Sequence, residues 1–207
     1  MPTVEIPHTR GGSGPQGTVY WDDDAEALDL YFTSMTIGKE AFDLSPDQFW
    51  EYRGYLQFDT VDAVPAGNKV TKIELKVKHA PGTPASTVGD PSQGWTWDIY
   101  MGTWIGATLT TAAWGGGGVE VLFHNWPSSP TDGYLDLGPL AVAAYDNDAV
   151  TDLEIRDEGA TSSSPYYLWY SDLLNAVMTR NRQQLRITYE PILTSTIASK
   201  YTPHAGI

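Results

Sequence analysis

The run from Arg53 to His79, RGYLQFDTVDAVPAGNKVTKIELKVKH, constrains the fold of this chain more than any other stretch. Apolar and polar residues alternate on both sides of a Pro65-Ala66-Gly67 corner. Before the corner, Leu56 and Phe58 share one face while Tyr55, Gln57 and Asp59 share the other. After it, Ile73, Leu75 and Val77 point one way and Lys72, Glu74, Lys76 and Lys78 the other. A repeat of two is that of a β-strand, whose successive side chains leave opposite faces of the sheet. The segment therefore predicts two paired strands in a sheet with one dry face and one wet face.

The same alternation, bounded by Gly, Pro, Asn, Asp or Ser, marks strands at Thr18–Trp21, Leu28–Ile37, Tyr52–Asp59, Val70–His79 and Trp95–Met101. It continues at Val119–Phe123, Tyr134–Leu137, Thr151–Arg156, Tyr166–Tyr170 and Gln184–Tyr189. Many short strands separated by turn residues predict an all-β chain, an antiparallel β-sandwich of jelly-roll type. Short helices are expected at Ser45–Glu51, with Ser45 as cap and Pro46 in the first turn, and at Leu140–Tyr145, which is rich in Ala. A length of 207 residues suits one domain, and no internal repeat is visible. The expected organisation is an N-terminal arm at residues 1–17, the sandwich at 18–190 and a C-terminal arm at 191–207.

A formal charge of −14 argues against a nucleic-acid partner, since binding phosphates requires clustered Lys and Arg. With no cysteine there are no disulfides and no thiolate metal sites. The first residues, MPTVEIPHTRGGSGPQG, lack the basic start and apolar run of a secretory signal. No stretch approaches the roughly 18 apolar residues of a membrane span. The expected location is a cytoplasm, or a particle that leaves it by no signal-dependent route, with no membrane contact.

The residues that could carry chemistry do not assemble into a catalytic set. Asp22, Asp23, Asp24 and Glu26 form one acidic run and Asp146, Asp148 and Asp152 another. Both lack the spacing of a calcium loop and read as solvated turns. His8, His79, His124 and His204 show no zinc-ligand spacing. The Gly115–Gly118 run has no Lys-Ser/Thr after it and reads as a flexible hairpin tip. No catalytic residue, cofactor or metal is expected.

Aromatic residues are plentiful, at 8 Trp and 12 Tyr. Trp95 and Trp97 stand at i and i+2 on one strand face, as do Tyr167 and Trp169 on another. Such residues fill an inter-sheet core, line a subunit interface, or form a flat platform for sugar rings. Trp95, Trp97 and Trp169 are the candidates for a glycan platform.

The Arg53–His79 segment resembles the core of the DNRLRE-type domain, a jelly-roll module related to some carbohydrate-binding modules. Arg53, Gly54, Leu56, Phe58 and Asp59 match its pattern, followed by Pro65-Ala66-Gly67, Val70-Thr71, Leu75 and Val77. Arg182, Leu185, Ile187 and Tyr189 are similar to its closing strand, and YLDLGPLAVAAYDN to its strand and short helix. TSMTIGK is similar to its earlier strand, so the resemblance runs with gaps over residues 28–190. The matched positions are packing and turn positions, so the resemblance implies a fold and transfers no binding residue. The sequence departs from that family's pattern in an insertion around Thr103–Thr131 and in its terminal arms.

Together these features predict a non-enzymatic structural protein of a viral particle, a capsid decoration or tail-associated subunit. Its partners would be other particle subunits, such as a major capsid or tail protein, and further copies of itself. Val4, Ile6, Ile192, Ile197 and Tyr201 are the arm residues expected to reach a neighbour. The alternative is a carbohydrate-binding module or adhesin that uses exposed aromatics.

Overall fold

The computed structural model describes residues 1–8, 17–22, 26–31, 34–41, 49–77, 86–88, 95–126, 133–157, 166–172 and 183–193. The strands are β1 (Thr3–Pro7), β2 (Gly17–Asp22), β3 (Ala27–Tyr31), β4 (Ser34–Ala41), β5 (Phe49–Phe58), β6 (Asn68–Val77) and β7 (Ser86–Val88). They continue with β8 (Trp95–Gly102), β9 (Val119–Trp126), β10 (Gly133–Asp136), β11 (Thr151–Asp157), β12 (Tyr166–Asp172) and β13 (Gln184–Pro191). A 3-10 helical turn (Thr111–Gly115) precedes β9, and helix α1 (Gly138–Ala144) follows β10.

The strands form an antiparallel β-sandwich of jelly-roll type. One sheet has the order β1-β13-β6-β10, and the larger runs β7-β12-β4-β5-β11-β8-β9, with the β2–β3 hairpin paired to β5. The chain passes repeatedly from one sheet to the other, as at β5 to β6 and β9 to β10, so both layers are tied together along the whole sequence. Alternation explains the core. Leu56, Phe58, Ile99, Met101, Leu153 and Ile155 of the larger sheet share a buried cluster with Ile73, Leu75, Leu185 and Ile187 of the smaller. Each such side chain contributes roughly 1.5–3 kcal/mol when fully buried.

Gly54 has a specific packing reason. A Cβ there would lie 2.6 Å from Met35 Cγ and 2.9 Å from Ile37 Cγ1, so only glycine lets β4 approach this part of β5. The Pro65-Ala66-Gly67 corner closes with Gly67 at φ +79, a left-handed conformation that glycine adopts without a steric penalty. Asn147 then fastens this corner to the turn before β11. Its Oδ1 accepts from the Val64 N–H at 2.9 Å and its Nδ2 donates to the Val64 carbonyl at 3.1 Å.

Several expectations are corrected. The N-terminal arm is partly a strand: β1 pairs with β13, Val4 opposite Ile187 and Ile6 opposite Leu185. Ile6 is buried in the protein's own core, with Val4 packed against the same cluster, because β1 completes the edge of the smaller sheet. Leu28–Ile37 is not one strand but parts of β3 and β4. Of the helix expected at Ser45–Glu51, residues 45–48 lie outside the described residues, and Phe49, Trp50 and Glu51 belong to β5, paired with β2 and β4. The outer face of β5 is dry as well, since Tyr55 and Gln57 are both buried. Among the described residues, no helix is long and apolar enough to cross a membrane.

Candidate functional site

The second dry face arises from the long connection between β8 and β9, residues 103–118, which folds back over the larger sheet. Register brings polar residues into rows across β5, β11 and β8. Glu154 stands between Tyr55 and Tyr100, Asp152 between Gln57 and Gly102, and Arg156 faces Asp98. Apolar residues of the connection, Ile105, Leu109 and Ala113, seal this face by packing with Tyr55 and Val19, and Trp104 and Trp114 lie against them.

Asp152 anchors the connection. Its Oδ2 accepts the backbone N–H of Trp104 at 2.6 Å and of Ile105 at 2.7 Å, while Oδ1 accepts from Gln57 Nε2 at 2.9 Å. Gln57 Nε2 also donates to the Gly106 carbonyl at 3.0 Å. The expectation that Asp152 lies in a solvated turn is therefore overturned, because it is fully buried and used as an acceptor. Asp146 and Asp148 do form an exposed turn, with the Asp148 N–H donating to Asp146 Oδ1.

Next to this anchor lies a charged cluster. Glu154 Oε1 accepts from Arg156 Nε at 2.7 Å and from Arg53 Nη1 at 3.3 Å. Arg53 Nε also donates to Glu51 Oε1 at 2.9 Å, and its Nη1 donates to the Trp114 carbonyl at 2.9 Å. The Arg53 guanidinium lies 3.7 Å from the Trp114 ring centre, and that of Arg156 lies 4.1 Å from the Tyr100 ring centre. These stacked cations keep the planar fork of arginine fixed against carboxylate and ring. Tyr55 donates its hydroxyl to the Ala113 carbonyl at 3.2 Å, and burial, reinforced by the charge of Glu154, pushes that phenol far above its usual range. Burial works to lower the Arg156 pKa, but hydrogen bonding and charge from Glu154 outweigh it and the net shift is upward.

Trp104 sits on glycines. A Cβ on Gly102 would lie 3.1 Å from its ring, and one on Gly118 2.9 Å from it. The Gly115–Gly118 run is thus no hairpin tip. Gly116 and Gly118 permit close contact with what lies beneath, whereas Cβ atoms on Gly115 and Gly117 would meet nothing within 4 Å. Trp104 also lines a surface hollow of about 460 Å³ with Gln57, Thr103, Gly106, Ala107 and Val150.

The residues singled out in the sequence lie elsewhere. Trp97 is fully buried in the inter-sheet core, so it cannot serve a glycan platform; its face of β8 is the inner one. Trp95 and Trp169 belong to β8 and β12, but their side chains lie outside the described residues. Ile192 follows β13, donates its backbone N–H to the Gly67 carbonyl at 2.8 Å and leaves its side chain half exposed. Ile197 and Tyr201 lie outside the described residues. Val4 and Ile6 pack on the protein's own inter-sheet core. Among the described residues, no group of His, Asp and Glu side chains is placed to hold a metal ion.

Sequence reading did not find Trp104, Glu154, Arg156 or Glu51. The signal available was the alternation of charged residues in Asp152-x-Glu154-x-Arg156, a strand that pairs with the one carrying Arg53. No family model matches the chain. No curated protein matches it either.

Proposed function

We propose that this chain is a non-enzymatic structural protein of a viral particle, a capsid decoration or tail-associated subunit that binds neighbouring subunits and further copies of itself. The observation that carries this reading is the pair Ile192 and Leu193, 53% and 92% exposed where the chain leaves the smaller sheet. Consecutive large aliphatic residues turned to water form a cohesive edge, and Met1 is exposed as well. Burying each on a neighbour contributes roughly 1.5–3 kcal/mol before ordering entropy. A net charge of −14 favours a protein partner over a nucleic acid.

The resemblance to the DNRLRE-type domain fits a binding module with a rigid body. The role expected for the N-terminal arm passes to the C-terminal side, because β1 is spent on the protein's own sheet. The glycan platform loses its central member with the burial of Trp97.

Light scattering of the purified protein tests the proposal. The full chain should have a mass that is a multiple of 22.7 kDa, and an Ile192→Ser, Leu193→Ser double variant should fall to 22.7 kDa. A full chain that stays at 22.7 kDa when concentrated to about 100 μM, where even a contact of about −5.5 kcal/mol is populated, refutes self-assembly.

A further inference from the structure

The surface hollow beside Trp104 offers about 460 Å³ of open space. Gln57, Thr103, Trp104, Gly106, Ala107 and Val150 line it, and a Cβ on Gly106 would meet nothing within 4 Å. Gln57 is only 8% exposed, yet just one end of its amide is engaged. Its Nε2 donates to Asp152 Oδ1 at 2.9 Å and to the Gly106 carbonyl at 3.0 Å. Both partners are acceptors, so the amide cannot be turned over and its oxygen is the end left free. That Oε1 has no partner among the described residues and is not sealed from solvent, so it opens on the hollow. A nine-tenths-buried side chain held with one acceptor open is suited to a donor brought from outside. We propose that this hollow is a binding site for an alkylammonium group, carried by a free amine or by a lysine of a partner protein.

The lining selects the class. Thr103 Oγ1 donates to the Val150 carbonyl at 2.8 Å, so its own oxygen is left to accept. The Trp104 indole Nε1, a donor, is buried beside Gly116 and not open to the hollow. The side chains therefore present two acceptors and a tryptophan ring, the best of the aromatic rings for a cation. No Lys, Arg or His lines the hollow. The buried Asp152 carboxylate stands behind Gln57, and Asp148 lies two residues before Val150 in an exposed turn. Arg53 and Arg156 are held on Glu154 Oε1. The net charge of −14 acts in the same sense and repels an anion. A bare metal ion such as calcium needs six or more oxygens, far above the two offered here. An ammonium can donate to both oxygens and lie by the ring, while its methylenes cover Ala107 and Val150.

The site shares no residue with Ile192 and Leu193 and is independent of the assembly proposal.

The test is an NMR titration of the ¹⁵N-labelled full chain at constant ionic strength. The probe is n-butylammonium chloride, with 1-butanol and sodium pentanoate as neutral and anionic matches carrying the same butyl chain. The Gly106 and Ala107 amide signals should move saturably as n-butylammonium is raised to about 100 mM. Pentanoate should leave them still, and butanol should bind about tenfold more weakly for want of a charged donor. Thr103→Val, at an exposed position, removes one acceptor and should weaken amine binding about fivefold. Trp104→Leu removes the ring and should also weaken it about fivefold. Nα-acetyl-lysine methylamide and spermidine then separate the two sources: the tighter binder names either a partner's lysine or a free polyamine. The proposal is overturned if n-butylammonium leaves both amides unmoved, or if butanol or pentanoate binds as tightly. It is equally overturned if Thr103→Val, or a folded Trp104→Leu, binds the amine as tightly as the parent.

Discussion

Glu74 shows how one charged residue can sit on a nominally wet face and still be buried. Its Oε2 accepts from Arg186 Nε at 2.8 Å and its Oε1 from Lys72 Nζ at 2.8 Å. The Arg186 hydrogen bond leads; burial opposes it, but with help from Lys72 the carboxyl is held below its ordinary value of 4.5. The folded protein therefore releases this proton at lower pH than the unfolded chain does. Its stabilisation is fully present above about pH 4.5 and drains away as pH falls through the lower folded value. Glu74→Gln should lower the melting temperature at neutral pH by the equivalent of about 1–3 kcal/mol. The difference from the parent should then shrink as pH drops towards 2, a trend that thermal melts across pH would show. Equal melting curves at neutral pH would remove this role. The alternation around Glu74 was legible in the sequence, but the burial was not, because it depends on Arg186 arriving from a strand far along the chain. Trp97 failed for the complementary reason. A repeat of two sorts side chains onto two faces without saying which is the inner one.

At the scale of elements, the connection of residues 103–118 decides what the larger sheet can do. Sequence marked it as an insertion and its glycines as a loose tip; nothing local shows that it lies flat on a sheet. The contacts that hold it come from Asp152, Gln57, Tyr55 and Arg53, all distant in sequence. Strand positions inside β5, β6, β11 and β13 were readable because period and turn residues are local signals. The strand β1 was not, since Pro2, Pro7 and the following glycines resemble a terminal arm until β13 offers an edge. Asp152→Ala tests the anchor. It strands the Trp104 and Ile105 N–H groups, and each buried donor left unpaired costs about 1–3 kcal/mol. The variant should lose about 2–4 kcal/mol in urea unfolding. Amide hydrogen exchange should also accelerate across 103–118 more than in β6 or β13. Uniform acceleration, or none, would mean that the loop is held by its apolar residues instead.

For the whole molecule, the question is whether the first residues serve the body or a neighbour. The backbone N–H of His8 donates to the Gln183 carbonyl at 3.0 Å and the Tyr189 N–H to the Pro2 carbonyl at 3.1 Å, so both ends of β1 are tied to the strand beside it. Ile6 is part of the inter-sheet cluster, and its burial alone contributes roughly 1.5–3 kcal/mol. Deleting residues 2–8 should therefore lower the unfolding free energy by at least that amount, with a lower urea midpoint. It should also leave β13 as an unpaired edge, which invites pairing between chains and visible aggregation on warming. An arm that existed only to reach a neighbour would behave differently, because its loss would leave the midpoint unchanged and alter assembly alone. The deletion thus separates the two roles. A shifted midpoint assigns β1 to the sandwich and leaves Ile192 and Leu193 to carry assembly, whereas an unshifted midpoint returns the N-terminal segment to the interface.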